Sequence, residues 1–192
     1  MPRRENVGRR RQPAGVRRRT VLIYCGGVRT EPDYFDGLRE RFRRGSVTIK
    51  IRQEGIAPVA LVRAAAGYRE RSSSSFDDVW CVVDVDRFDL DIALAEAYRR
   101  NVRLAVSNPC FELWLLLHHA DCRAFCRDCA EVERRLRKHV PGYDKAQLDF
   151  GHFAEGVGDA VKRARDLDRT GAEHRRNPST SVWRLVERIV GE

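Results

Sequence analysis

An α/β fold is predicted by three observations. Short β-rich apolar runs alternate with amphipathic stretches as far as Val106, the runs end in Gly, Asp or Asn, and everything after Pro109 reads mainly as helix. The rhythm strand, helix, strand, helix, strand, helix, strand requires right-handed crossovers and at least three parallel strands. The C-terminal half leaves that rhythm, so a small sheet with a helical half packed on it is expected.

Val21-Leu-Ile-Tyr-Cys25 is a buried-strand pattern stopped by Gly26-Gly27. Thr30-Glu-Pro-Asp33 then supplies a cap residue, a first-turn Pro and an acid, and Tyr34, Leu38 and Phe42 recur at helical spacing. Val47 to Ile51 alternates as a half-covered strand. After Glu54-Gly55 and Pro58, the stretch Val59–Arg71 is helical, with Leu61 and Val62 inward. Ser72–Ser75 is a loop, and Val79-Trp-Cys-Val-Val83 is the most strand-like run in the chain, ending in Asp84-Val-Asp86. Leu90–Arg100 is an amphipathic helix and Val102–Val106 a fourth strand. Pro109–His119, Ala130–His139, Phe153–Asp168 and Ser179–Val190 complete the helical half.

A chain of 192 residues, 42% of them hydrophobic, builds one medium-sized domain with a real core. No apolar run approaches the roughly 20 residues that cross a bilayer, and no apolar segment near the start resembles a secretory signal. The expected location is cytoplasmic, without membrane contact. There the six cysteines are thiols or metal ligands before they are disulfides.

The net charge of +9 is uneven. Residues 1–20 hold eight Arg and one acid, giving +7, while the other 172 residues carry only +2. Residues 1–19 are therefore expected to be a disordered Arg-rich tail, and residues 20–192 a single domain. The tail reads equally as an arm that finds polyphosphate by counterion release and as a solubilising terminus.

Ligands of open α/β sheets bind at the carboxyl ends of the strands, where this chain carries its unusual residues. Gly26-Gly27 leads into the helix at Thr30, and Asp84 and Asp86 close the third strand. Ser107-Asn108-Pro109 closes the fourth, with Glu112 one turn on. Two aspartates separated by one residue suit Mg²⁺ or Mn²⁺ held jointly with a phosphate, an arrangement preferred here to a pair of solvated turn carboxylates. Glu112 is flanked by apolar residues, where an unpaired carboxylate is costly. It is a candidate third metal ligand or general base, or else an acid favoured at a helix start. His118 is a candidate acid or phosphate contact, and Arg87 and Lys145 are candidate phosphate contacts. Asn177-Pro-Ser-Thr180 reads as the cap of the last helix, with Asn177 and Thr180 available to a nucleic-acid backbone. Cys122-x3-Cys126-x2-Cys129 has the spacing of a radical iron–sulfur loop, but too little chain follows it for that barrel. With His118 these thiols would lie on one helix face, which cannot surround a zinc ion, so ordinary thiols are expected.

Thr30-Glu-Pro-Asp-Tyr-Phe35, Asp84-Val-Asp86, Ser107-Asn-Pro-Cys-Phe-Glu-Leu-Trp114 with His118, Tyr143-Asp-Lys145 and Asn177-Pro-Ser-Thr180 follow one another as in the RloB-like family. The resemblance spans about residues 20 to 190. It implies a Toprim-like fold: a small, mostly parallel four-stranded sheet with helices on both faces and a helical C-terminal half. It also implies a metal-dependent nuclease of bacterial antiphage defence and abortive infection, using Mg²⁺ or Mn²⁺ and paired with an AAA/ABC-type ATPase. Toprim-like proteins end their first strand with Glu-Gly, whereas Gly26-Gly27 stands here, so the resemblance implies either an impaired copy or substitution by Glu31 or Glu112.

The function expected is thus a metal-dependent endonuclease-like effector. Asp84, Asp86 and Glu112 hold the metal, and Glu31, Glu112, His118 and Lys145 serve catalysis. Arg87, Asn108, Asn177 and Thr180 contact DNA or RNA. The alternative is a catalytically impaired binding or regulatory subunit that docks on an ATPase or on nucleic acid; a nucleotide-sugar transferase built on the Asp pair ranks below both. A homo-oligomer is left open.

Overall fold

The computed structural model describes residues 19–42, 47–53, 55–85, 90–167 and 173–191. The tail expected over 1–19 lies outside them except for Arg19, which opens the first strand, and so do Asp86 and Arg87.

Among the described residues five strands form one sheet: β1 (Arg19–Cys25), β2 (Val47–Gln53), β3 (Asp78–Asp84), β4 (Arg103–Asn108) and β5 (Ser179–Thr180), in the order β2-β1-β3-β4-β5. The first four are parallel, joined through α1 (Thr30–Arg41), α2 (Pro58–Arg71) and α3 (Leu90–Arg99). The helical half supplies α4 (Glu112–Leu117), α5 (Cys129–Leu136), α6 (Val157–Leu167) and α7 (Val182–Val190).

The period-two alternation of the strands creates two cores. Val21, Ile23 and Cys25 of β1, Trp80 and Val82 of β3, and Ala105 of β4 face α1 and the whole helical half. Leu22, Tyr24, Val79, Cys81, Val83 and Val106 face α2 and α3. β1 and β3 are buried on both sides, which explains their unbroken apolar runs. Each buried Val or Leu side chain contributes about 1.5–3 kcal/mol. The stripe on α7 is the helical counterpart: Val182, Leu185, Val186 and Ile189, at i, i+3, i+4 and i+7, are all buried. On the opposite face Glu96 of α3 receives Arg63 of α2 at 3.0 Å and Arg100 at 2.7 Å, tying the two helices together.

One strand was not anticipated. Ser179–Thr180, expected to cap the last helix, instead pairs antiparallel with the end of β4. The edge of β4 needs partners for its backbone groups, and this segment provides them. Val106 N–H donates to Ser181 Oγ and Ser181 N–H to the Val106 carbonyl, both at 2.8 Å. Ser107 and Thr180 join hydroxyls at 2.9 Å. The last helix consequently starts at Val182, later than expected.

The sheet reverses direction between β1 and β3. From β1 the chain passes over one face through α1 to β2, then crosses the other face through α2 to β3 and continues through α3 to β4. The crevice at such a reversal lies at the carboxyl ends of the two strands, here Gly26-Gly27 and Asp84.

Candidate active site

Gly26 extends β1 by donating its amide to the Val82 carbonyl at 2.9 Å, which brings Gly27 beside the end of β3. α1 starts three residues later, so a side chain in its first turn reaches back over the glycines. Glu31 does so: its Oε1 accepts the Gly27 amide at 3.0 Å. A Cβ on Gly27 would lie 2.0 Å from Glu31 Oε2, so the Glu31 carboxylate occupies the space a side chain at the strand end would take. Glu31 is only 6% exposed, and burial raises its pKa above the ordinary carboxylate value. The nearby Glu112 charge adds to the rise, while the Gly27 amide and Lys145 oppose it.

Glu112, also 6% exposed, opens α4 just beyond the end of β4. Tyr143 donates its hydroxyl to Glu112 Oε1 at 3.3 Å. The loop carrying Tyr143 is fastened to the start of α1: Thr30 Oγ1 donates to the Lys145 carbonyl at 3.0 Å, and Arg29 to that of Ala146 at 3.4 Å. Lys145 Nζ reaches Glu133 Oε1 at 2.7 Å, and Arg137 holds the other oxygen of Glu133 at 3.1 Å. The Glu112 and Cys129 charges also act on Lys145.

Cys110 and Cys129 complete the cluster. Their sulfurs and a Glu112 carboxylate oxygen all lie within 4.8 Å of one another. The Cys110 thiol is pushed far up in pKa by its hydrogen bond with the Cys129 thiol, by burial, and by the charges of Glu112 and Asp84. Asp84, paired in register with Ser107 at the end of β3, therefore belongs to the same neighbourhood. Glu31, Asp84, Glu112 and Lys145 thus gather at the strand ends; Asp86 and Arg87 lie outside the described residues.

Four other candidates are turned to structural work. His118 closes α4 inside the aromatic core, 4% exposed, with rings of Tyr34, Trp114 and Phe153 around it. Its Nδ1–H donates to the Trp114 carbonyl at 2.9 Å, so Nε2 accepts from the Tyr34 hydroxyl at 3.1 Å. Burial lowers its pKa to about 3, leaving it neutral and fully engaged instead of free to act as an acid. Asn177 brackets one peptide, accepting from Cys126 N–H at 2.9 Å and donating to the Cys126 carbonyl at 2.8 Å. Thr180 is buried against Ser107, and Asn108 donates to the His174 carbonyl at 3.2 Å. These three polar side chains secure the β4–β5 edge and its connections, where phosphate contacts were expected.

The expected cysteine triplet divides. Cys122 and Cys126 lie 3.5 Å apart, sulfur to sulfur, under Arg135, whose guanidinium donates to both. Hydrogen bonds from Cys126 and Arg135 bring the Cys122 thiol down to about 7. Cys129 joins Cys110 and Glu112 instead. Cys110 and Glu133 were not singled out from the sequence, and Cys129 was read only together with Cys122 and Cys126. Cys110, two residues from Glu112 in an otherwise apolar stretch, was the one detectable signal.

The fold is α/β, with a candidate site of acidic residues at the sheet reversal. The sequence model of the family described as RloB-like protein matches residues 21–189, nearly the whole chain, and the protein belongs to that family. No curated protein and no solved structure gives a significant match. Among the described residues no helix is long and apolar enough to cross a membrane.

Proposed function

We propose that this chain is a metal-dependent, endonuclease-like phosphodiesterase of bacterial antiphage defence that works with an ATPase partner. The observation carrying this reading is Glu31, whose carboxylate accepts the Gly27 amide beside the Gly26-Gly27 ending of β1 and lies near Glu112. With an acid supplied from α1, the Gly26-Gly27 ending no longer argues for a silent binding subunit.

The oxygen donors Glu31, Asp84 and Glu112 are chemically suited to Mg²⁺ or Mn²⁺, with Asp86 as a further ligand from the sequence. Such an ion would supply charge neutralisation at the phosphoryl oxygens. In hydrolysis a water oxygen bonds to phosphorus while the P–O bond to the leaving sugar breaks. Glu31 would take the water proton through a carboxylate oxygen that does not ligate the ion, and the leaving oxygen would take its proton from solvent. Lys145, held over the site by Glu133, offers its ammonium to the phosphate. The Arg-rich residues 1–19 would add sequence-independent affinity for nucleic acid.

The test is cleavage of DNA and RNA by the purified protein with Mg²⁺ or Mn²⁺, alone and with an AAA/ABC-type ATPase partner. Cleavage lost in Asp84→Ala and Glu31→Gln is expected. No cleavage under any of these conditions would overturn the proposal.

A further inference from the structure

The Cys110, Glu112 and Cys129 cluster has a donor set that hard-metal chemistry does not account for. Magnesium binds through oxygen, and two sulfurs beside one carboxylate are the wrong ligands for it. Thiolate with carboxylate suits a softer divalent ion of the zinc class.

The geometry differs from the arrangement that spacing suggested. Cys122, Cys126 and Cys129 on one face could not enclose an ion. Cys110 instead comes from the turn after β4, Glu112 from the first position of α4 and Cys129 from the first position of α5. Three separate points of the backbone thus aim their ligand atoms at one place, all within 4.8 Å of one another. Cys110 and Glu112 are buried, whereas Cys129 is half-buried and leaves a side open to solvent.

We propose that Cys110, Glu112 and Cys129 form a binding site for a thiophilic divalent cation, Zn²⁺ by preference, with a fourth position left for solvent or a ligand oxygen. On binding, each thiol releases its proton to solvent as its sulfur bonds to the ion, and no group is oxidised or reduced. Two thiolates and a carboxylate carry one negative charge more than the ion neutralises. Lys145, on which both Glu112 and Cys129 act, offsets that excess. Tyr143 holds Glu112 through one oxygen and thereby orients the ligand. The site shares Glu112 with the proposed hydrolytic centre but does not depend on it, since a chain that cleaves nothing could still hold the ion.

The experiment is a Co²⁺ titration of reduced, chelator-stripped full-length protein, followed by Zn²⁺ competition. One equivalent of Co²⁺ should give near-ultraviolet thiolate-to-cobalt absorption, displaced by Zn²⁺ with release of protons. Because Cys110 is fully buried and its Ser variant risks misfolding, Cys129→Ser carries the test: the absorption should fall and Zn²⁺ affinity drop about tenfold or more. The Cys122→Ser/Cys126→Ser double variant should keep both. Asp84→Ala should lose Mg²⁺-dependent cleavage yet keep the cobalt spectrum, so the two readings fail separately. Three results would each overturn the site: a cobalt spectrum without thiolate absorption, absorption that survives Cys129→Ser but not the double variant, or a Cys110–Cys129 disulfide in protein purified with reductant.

Discussion

Glu31 accepts the amide proton of Gly27 at 3.0 Å, and its carboxylate fills the volume that a side chain on Gly27 would claim. A helix residue thus delivers to the end of β1 an acid that the strand itself lacks. The glycine at position 27 is what admits the carboxylate, because a side chain there and the carboxylate cannot share the space.

Gly27→Ala follows directly. Its Cβ would lie 2.0 Å from Glu31 Oε2, and the obstructing atoms end a flexible side chain, so the carboxylate moves while the backbone stays. We expect a folded protein within about 1 kcal/mol of wild-type stability. Cleavage should nevertheless fall about a hundredfold, as for a displaced general base. Denaturant unfolding and a single-turnover assay measure the two separately; undiminished cleavage would mean Glu31 is not used where it stands.

Burial raises the Glu31 pKa, so the folded protein binds this proton more tightly than the unfolded chain does. Its contribution to stability is therefore fully present below the unfolded value of 4.5 and is lost as pH rises through the folded value. Glu31→Gln, which keeps an oxygen for Gly27, should be more stable than wild type at neutral pH in chelator. The two curves should converge in acid. Urea melts across pH test this, and a constant offset at every pH would contradict it.

His118 has the opposite linkage. Neutral in the fold with a pKa near 3, against 6.5 when unfolded, it destabilises the protein as pH falls between those values. One proton taken up on unfolding corresponds to about 1.4 kcal/mol per pH unit. His118→Gln should flatten that acid-side slope and leave the pH profile of cleavage unaltered. A lost limb in the rate profile would restore His118 as a proton donor.

Asn177→Ala removes both bonds to the Cys126 peptide and should cost about 1–3 kcal/mol. The salt dependence of nucleic-acid affinity should not change. A shallower slope of log affinity against log salt would instead mark Asn177 as a phosphate contact.

The strands were legible because burial on both faces writes itself as unbroken apolar runs, as in Val21–Cys25 and Val79–Val83. The convergence of Asp84 and Glu112 was legible because parallel strands bring their carboxyl ends to one side of a sheet. What escaped the sequence depends on tertiary partners. Ser179–Thr180 has no pattern of its own and becomes strand through the needs of the β4 edge. Cys129 has closer sequence neighbours in Cys122 and Cys126, but α5 carries it to Cys110. His118 looked reactive beside Glu112, yet it lies at the opposite end of α4, where Tyr34 and Trp114 take both nitrogens.

The central claim, that Glu31 completes a metal site with Asp84 and Glu112, is tested most directly by calorimetric titration of Mn²⁺ into wild type, Glu31→Gln and Asp84→Ala. The account predicts that each substitution weakens binding about tenfold or more, a loss of about 1.4 kcal/mol. Equal affinity in all three proteins would contradict it.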